Sequence, residues 1–191
     1  SAEAAAVAAR IGYPVVMKIV SPQLLHKSDA GGIKLNLADE AALRQAYSAM
    51  MTEINAARPD ALLEGVMVER MAPKGQEVII GMRRDPGFGP LMMFGLGGIY
   101  VELFKDVSFR VAPLSAADAR QMITETRAGR LLTGFRGQPR ADLDAVVDVL
   151  LHLSRLALDH PEIQEAEVNP LLVFPEGQGA LALDGRVILG N

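Results

Sequence analysis

The sequence predicts an α+β protein folded as two lobes. Strand-like and helix-like segments mix along the chain, and hairpins outnumber strand–helix–strand units, which favours antiparallel-rich sheets with flanking helices over a doubly wound sheet. No period of 20–50 residues repeats, which argues against a solenoid. With 191 residues, half of them hydrophobic, and a net charge of −4, the chain can bury one sizeable core or two small ones. The polar turn Pro73-Lys74-Gly75 suggests where it divides, and lobes are expected over residues 1–70 and 71–191.

Each element has its own local signal. Residues 2–11 are alanine-rich and read as a helix that Gly12 and Pro14 end. An apolar run from Val15 to Val20 carries Lys18 and leads into a polar loop, which closes on Gly31-Gly32 before a second strand over 33–37. Asp39 caps a helix whose apolar Leu43, Ala46, Tyr47, Met50 and Ile54 recur at helical spacing until Pro59. Strands are expected over 65–70 and 76–82, with residues 85–90 as a turn-rich linker into a strand at 91–94. Gly95, Gly97 and Gly98 interrupt, extended structure resumes over 99–104, and another strand follows at 109–112.

Ser115 caps a helix over 116–126. Residues 129–140, with Arg127, Arg130, Arg136 and Arg140 in and around them, read as a solvated connection, a phosphate or CoA contact being the alternative. Asp142 opens the longest amphipathic helix, with Val146, Val147, Val149, Leu150, Leu153, Leu156 and Ala157 as its apolar stripe, and Pro161 closes it. The remainder reads as short strands, 167–169, 171–174, 180–184 and 186–189, around a turn at 175–177.

Composition narrows the function. A small, mixed charge supplies no broad basic field for nucleic acid. The absence of cysteine removes disulfides, thiolate metal sites and cysteine nucleophiles together. Ser1-Ala2-Glu3-Ala4 lacks the basic start of a signal peptide, and the longest uncharged run, 86–101, is broken by Gly and Pro and too short to span a bilayer. A cytoplasmic location without membrane contact is the expectation.

Two clusters can carry chemistry. At the hairpin tip, paired Gly31 and Gly32 let backbone N–H groups turn toward an anion, and Lys18 and Lys27 add mobile positive charge, so the tip reads as a phosphate cradle. The spacing of a Walker loop is absent. Lys18 sits in an apolar strand, where an ammonium needs an anion or carboxylate unless it snorkels to water. His26, among Lys27, Ser28 and Asp29, is either an ordinary surface histidine or a phosphoryl acceptor whose charge the neighbouring cations stabilise. Near the end of the chain, strand alternation puts Glu167 and Asn169 on one face, able to offer two oxygens to one cation, with Asp184 as a third. Mg²⁺ needs few protein oxygens when phosphates and water complete its octahedron. The plainer reading is a pair of polar residues entering a turn before Pro170. His152 and His160 flank the long helix and read as structural.

The segments GYPVVMK, LHKSDAGG, GLGG and EVNP occur in that order. Together they resemble the ATP-grasp domain of the ADP-forming (NDP-forming) acyl-CoA synthetases, a family similar to the nucleotide-binding half, the β subunit, of succinyl-CoA synthetase. The resemblance runs over nearly the whole chain. It implies an ATP-grasp fold whose two lobes hold ATP or ADP with Mg²⁺ between them, and an N-terminal lobe truncated at its start.

By the same resemblance, Lys18 contacts the nucleotide phosphates and His26 relays phosphate between distant sites. Val68, Glu69 and Met71 hold adenine through backbone groups and an apolar slot, and Glu77 takes the ribose hydroxyls. Asn169 and Asp184, with Glu167, hold the metal. The implied enzyme is an acid–thiol ligase that converts acyl-CoA, ADP and phosphate to carboxylate, CoA and ATP through acyl phosphate and phosphohistidine. This chain would perform the nucleotide half, and CoA-binding and acyl-CoA-ligase regions, fused or separate, would bring the thioester and carboxylate. Two alternatives stand beside it: a regulatory nucleotide-binding module of an acyl-CoA-synthetase-like protein acetyltransferase, and a carboxylate–amine ligase of the same fold, which needs no histidine.

Overall fold

A computed structural model of the chain describes residues 1–24, 30–97, 106–134, 137 and 139–190. It divides into two compact units, Ser1–Pro73 and Lys74–Asn191. Each has its own antiparallel sheet and its own apolar core.

The first unit runs α1 (Ala2–Ile11), β1 (Val15–Val20), β2 (Ile33–Leu37), α2 (Glu40–Ala57) and β3 (Gly65–Arg70), with β1 central in the order β2-β1-β3. Gly12 ends α1 at φ +86°, and its N–H donates to the Ala8 carbonyl. Asp39 caps α2 by accepting from the Ala42 N–H at 2.8 Å. Along β1, Val15, Met17 and Ile19 are fully buried and pack with Ala4, Ala5 and Ala8 of α1 and Leu43, Met50 and Ile54 of α2. Alternation therefore directs Lys18 to the opposite face of the sheet. Asn36, at φ 56°, takes up the extra β2 residue where the β1–β2 register shifts.

The second unit runs β4 (Gln76–Asp85), β5 (Gly89–Leu96), β6 (Val107–Val111), α3 (Ala116–Thr124), α4 (Arg127–Leu132), α5 (Leu143–Asp159), β7 (Ile163–Val173), β8 (Ala180–Ala182) and β9 (Gly185–Leu189). The sheet order is β6-β5-β4-β7-β8, with β9 also paired to β7. One face of β4 and β5, through Ile80, Met82, Met92 and Phe94, packs with Met122 and Ile123 of α3, Leu132 of α4 and Leu150 of α5. Glu165 and Glu167 of β7 pair in register with Arg83 and Gly81 of β4, so they lie on the face turned away from these helices.

Several details differ from the sequence expectation. The linker at 85–90 is a tight turn within one long β4–β5 hairpin, because Asp85 pairs with Gly89 and its carboxylate accepts from the Gly87 and Phe88 N–H groups. The helix expected over 116–126 stops at Thr124, and Thr126 caps α4 by accepting from the Gly129 N–H. The start of the segment read as a solvated connection is thus helical, with Ala128, Gly129 and Leu132 buried. The short strands around 167–174 are one eleven-residue strand, and Leu156 of the expected α5 stripe is 39% exposed. The strand expected over 99–104 lies outside the described residues. No helix among the described residues is long and apolar enough to cross a membrane.

Candidate functional site

In the first unit, Lys18 stands opposite Met67 in the β1–β3 register and Glu69 stands opposite Val16, so the two charges are diagonal neighbours on one face. Lys18 Nζ lies 2.7 Å from Glu69 Oε2, with side chains 15% and 40% exposed. The ammonium is therefore seated beside a carboxylate within a mostly apolar strand, an arrangement that limits the cost of removing it from water. Val68 turns to the other face and packs on the unit's core, leaving its backbone as what it can offer a ligand. Met71 follows β3, half-buried, and its N–H donates to the Pro14 carbonyl at 3.1 Å.

Of the paired glycines, only Gly31 has a positive φ, +69°, and a Cβ there would come within 3.1 Å of the Glu53 carboxylate on α2. The same carboxylate binds Lys34 Nζ at 2.6 Å. The Gly32 carbonyl accepts from the Ile19 N–H at 2.8 Å, which ties the glycine turn to β1 next to Lys18. His26 and Lys27, with Ser28 and Asp29, lie outside the described residues.

In the second unit, Glu77 is exposed on β4 opposite Leu172, and its carbonyl accepts from the Gly97 N–H. Gly97 crosses so close to β4 that a Cβ would meet the Val78 backbone at 2.7 Å, and one on Gly95 would meet the Asp106 carbonyl at 2.7 Å. These glycines serve close packing of chain on chain; Gly98 lies outside the described residues.

The predicted metal group comes together at one edge of the sheet. Glu167 pairs with Arg186, and two residues further on the Asn169 N–H donates to the Asp184 carbonyl at 3.1 Å. Asp184 occupies the short break between β8 and β9, where its Oδ1 accepts from the Gly185 N–H at 3.0 Å. The Asp184 carboxylate and the Asn169 carboxamide, at paired positions with Glu167 two residues away, are hard oxygen donors of the kind Mg²⁺ accepts when phosphate and water supply its other oxygens.

Sequence reasoning missed a row of charge around Glu167. Its Oε1 lies 3.2 Å from Arg186 Nε, Arg186 Nη2 lies 3.9 Å from Glu165 Oε2, and Glu165 Oε1 lies 3.5 Å from Arg83 Nε. Beside this row is a groove of about 400 Å³ whose walls include Gly81, Leu91, Met93 and Phe109. The i, i+2 spacing of Glu165 and Glu167 was the available signal, but their arginine partners sit on other strands. His152 Nδ1 lies 2.6 Å from the Asp148 carbonyl and His160 Nδ1 lies 3.0 Å from Glu162, both on exposed helix surface or end.

A family model described as an ATP-grasp domain matches residues 1–189. The β subunit of acetate–CoA ligase (ADP-forming) I from Pyrococcus furiosus is 50% identical over 187 residues, covering 98% of this chain and 80% of that protein. Acetate–CoA ligase (ADP-forming) I from Archaeoglobus fulgidus is 49% identical over 189 residues, covering 99% of this chain. The present chain spans only 27% of that protein's length. Among solved structures, the dinucleotide-forming acetyl-coenzyme A synthetase 1 of Ca. Korarchaeum cryptofilum in complex with coenzyme A, Ca-AMPCP and HgCl⁺ superposes with a TM-score of 0.91 at 49% identity, covering 99% of this chain and 82% of that one. Another structure of that synthetase holds coenzyme A and Mg-AMPPCP, with its phosphohistidine segment pointing towards the nucleotide binding site; its TM-score is 0.82 at 48% identity, with 99% and 82% covered.

Proposed function

This chain belongs to the ATP-grasp family, and from that premise we propose that it is the nucleotide-binding portion of an ADP-forming acyl-CoA synthetase. The observation that carries the reading is the 50% identity maintained over four fifths of the Pyrococcus furiosus ligase β subunit. The proposed reaction interconverts acyl-CoA, ADP and phosphate with carboxylate, CoA and ATP. A CoA-binding partner region, fused or separate, supplies the thioester chemistry.

Phosphoryl transfer asks a protein chiefly for positioning and charge neutralisation. Lys18, paired with Glu69, meets phosphate oxygens, assisted by Lys27 and the backbone at Gly31 and Gly32. Val68, Glu69 and Met71 flank the base, and Glu77 accepts from the ribose hydroxyls. Asn169 and Asp184, with Glu167 beside them, hold Mg²⁺, which when bound neutralises and orients the phosphates. His26 takes the phosphoryl group on an imidazole nitrogen as the bond to ADP breaks, and then passes it on.

Labelling tests this reading. The chain is mixed with its CoA-binding region and ATP carrying a labelled terminal phosphate, and an acid-labile, base-stable label on His26 is expected. Nucleotide binding without label would favour the regulatory module. Ligation that continues in His26→Ala would favour a carboxylate–amine ligase, whereas label that persists in that variant would remove His26 as the phosphoryl acceptor.

A further inference from the structure

Glu167 is held by a partner that the metal reading does not use. Its carboxylate is 3.2 Å from Arg186 Nε, and the same guanidinium reaches back to Glu165 at 3.9 Å, which in turn faces Arg83. Register places this contact next to the candidate ligands: Glu167 is opposite Arg186 on β9, Asn169 is two residues beyond Glu167, and Asp184 is two residues before Arg186. The backbone bond from Asn169 to Asp184 holds those two side by side. A guanidinium stays charged at every accessible pH, and its planar fork binds carboxylate directionally. The Glu167 carboxylate, two residues along β7 from Asn169, is thereby neutralised by a partner across the β7–β9 seam.

We propose that Arg186 is a positioning residue that withholds Glu167 from the cation, so that divalent metal is held weakly until nucleotide phosphates complete its shell. The proposal rests on the reading of Asn169 and Asp184 as metal ligands. With Arg186 present, those two supply one formal negative charge between them. Without it, Glu167 adds a second negative oxygen donor, and the positive charge that repelled the cation is gone. Metal then binds ahead of nucleotide, and the linkage between the two weakens.

Manganese binding to the full chain, followed by the electron paramagnetic resonance of free Mn²⁺ with and without ADP, tests this. Arg186→Gln is expected to tighten Mn²⁺ binding in the absence of nucleotide by about tenfold, the lower end of what a group behind a metal ligand commands, and to shrink the effect of ADP on that affinity. Arg186→Lys keeps the charge and should stay near the parent value. Adding Glu167→Gln to Arg186→Gln should return the affinity toward the parent, which a merely structural arginine would not produce. The Arg186 side chain is 48% exposed on a strand whose five residues are all exposed, so the variants should unfold at the parent temperature.

Unchanged or weaker Mn²⁺ binding in Arg186→Gln overturns the proposal. Asn169→Ala and Asp184→Ala separate the two levels. If they abolish Mn²⁺ binding with ADP present while Arg186→Gln fails to tighten it, only the role of Arg186 falls; if they leave it intact, the metal reading falls and the proposal with it.

Discussion

Lys18 occupies a strand whose neighbours Met17 and Ile19 are wholly buried, and the Glu69 carboxylate faces it at 2.7 Å. If its ammonium also meets phosphate, Lys18→Met keeps the stem and removes the charge. The expected result in titration calorimetry is Mg-ADP affinity lower by about 10- to 100-fold, from the ~1.5–3 kcal/mol typical of a charged hydrogen bond. Unchanged affinity would remove Lys18 from the phosphate site.

Asp142 offers a residue-scale test that involves no ligand. Its carboxylate accepts from the Gly179 N–H at 2.8 Å and the Ala145 N–H at 3.1 Å, joining the start of α5 to the turn before β8. These bonds, that from Gly179 first, hold its pKa below the usual carboxylate value against the opposing effect of burial. A depressed native pKa means the stabilisation is complete above the unfolded value of about 3.9 and is lost as pH falls through the native one. Asp142→Ala should cost about 2 kcal/mol at neutral pH, from a lost cap and an orphaned N–H. Urea unfolding should show the gap to the parent closing as the pH falls below about 4.

At the scale of elements, α5 is secured at both ends. Asp142 holds its start, and at its finish the Arg84 guanidinium on β4 donates to the carbonyls of Ala157 at 2.7 Å, His160 at 3.2 Å and Ile163 at 3.0 Å. The bond to Ala157 satisfies a carbonyl that the helix end leaves without a helical partner, and those to His160 and Ile163 tie the turn that follows to the central strand of the sheet. Arg84→Ala should lower unfolding free energy by about 2 kcal/mol, as expected for loss of charged hydrogen bonds of which two are part-buried and one is exposed. The corner between α3 and α4 is equally specific, because a Cβ on Gly129 would fall 1.9 Å from the Ile123 carbonyl oxygen. No rotamer relieves a clash made by Cβ itself. Gly129→Ala should therefore shift α4 and weaken hydrogen-exchange protection of its amides.

At the scale of the molecule, two units with separate sheets and separate cores carry different parts of the proposed machinery: Lys18 and the glycine turn in one, Asn169 and Asp184 in the other. A ligand that engages both must stabilise both by mass action. Saturating Mg-ADP should slow amide exchange in β1 and around β7 alike, and Asp184→Ala should remove the effect from both regions. Protection confined to one unit would contradict a nucleotide held by groups from each.

Much of this molecule was legible in its residues. The spans 2–11, 33–37 and 65–70 fold as helix, strand and strand with the bounds their local signals indicate, because alanine runs, glycine and proline stops and strand alternation act within a few residues. Four ordered motifs identified the family, and the residues themselves offered Asp184 as a third oxygen beside Glu167 and Asn169, with the resemblance implying that Asn169 and Asp184 are the ligands. What the chain could not announce was closure: the linker that is a tight turn, the loop that is α4, and the arginine that faces Glu167. Each depends on which distant segments the core brings together, and Arg186 meets Glu167 through a register 19 residues apart, where a slip of one position would turn the side chain to the other face. Composition and spacing determined the fold class and the chemical vocabulary; packing alone decided which charges became partners.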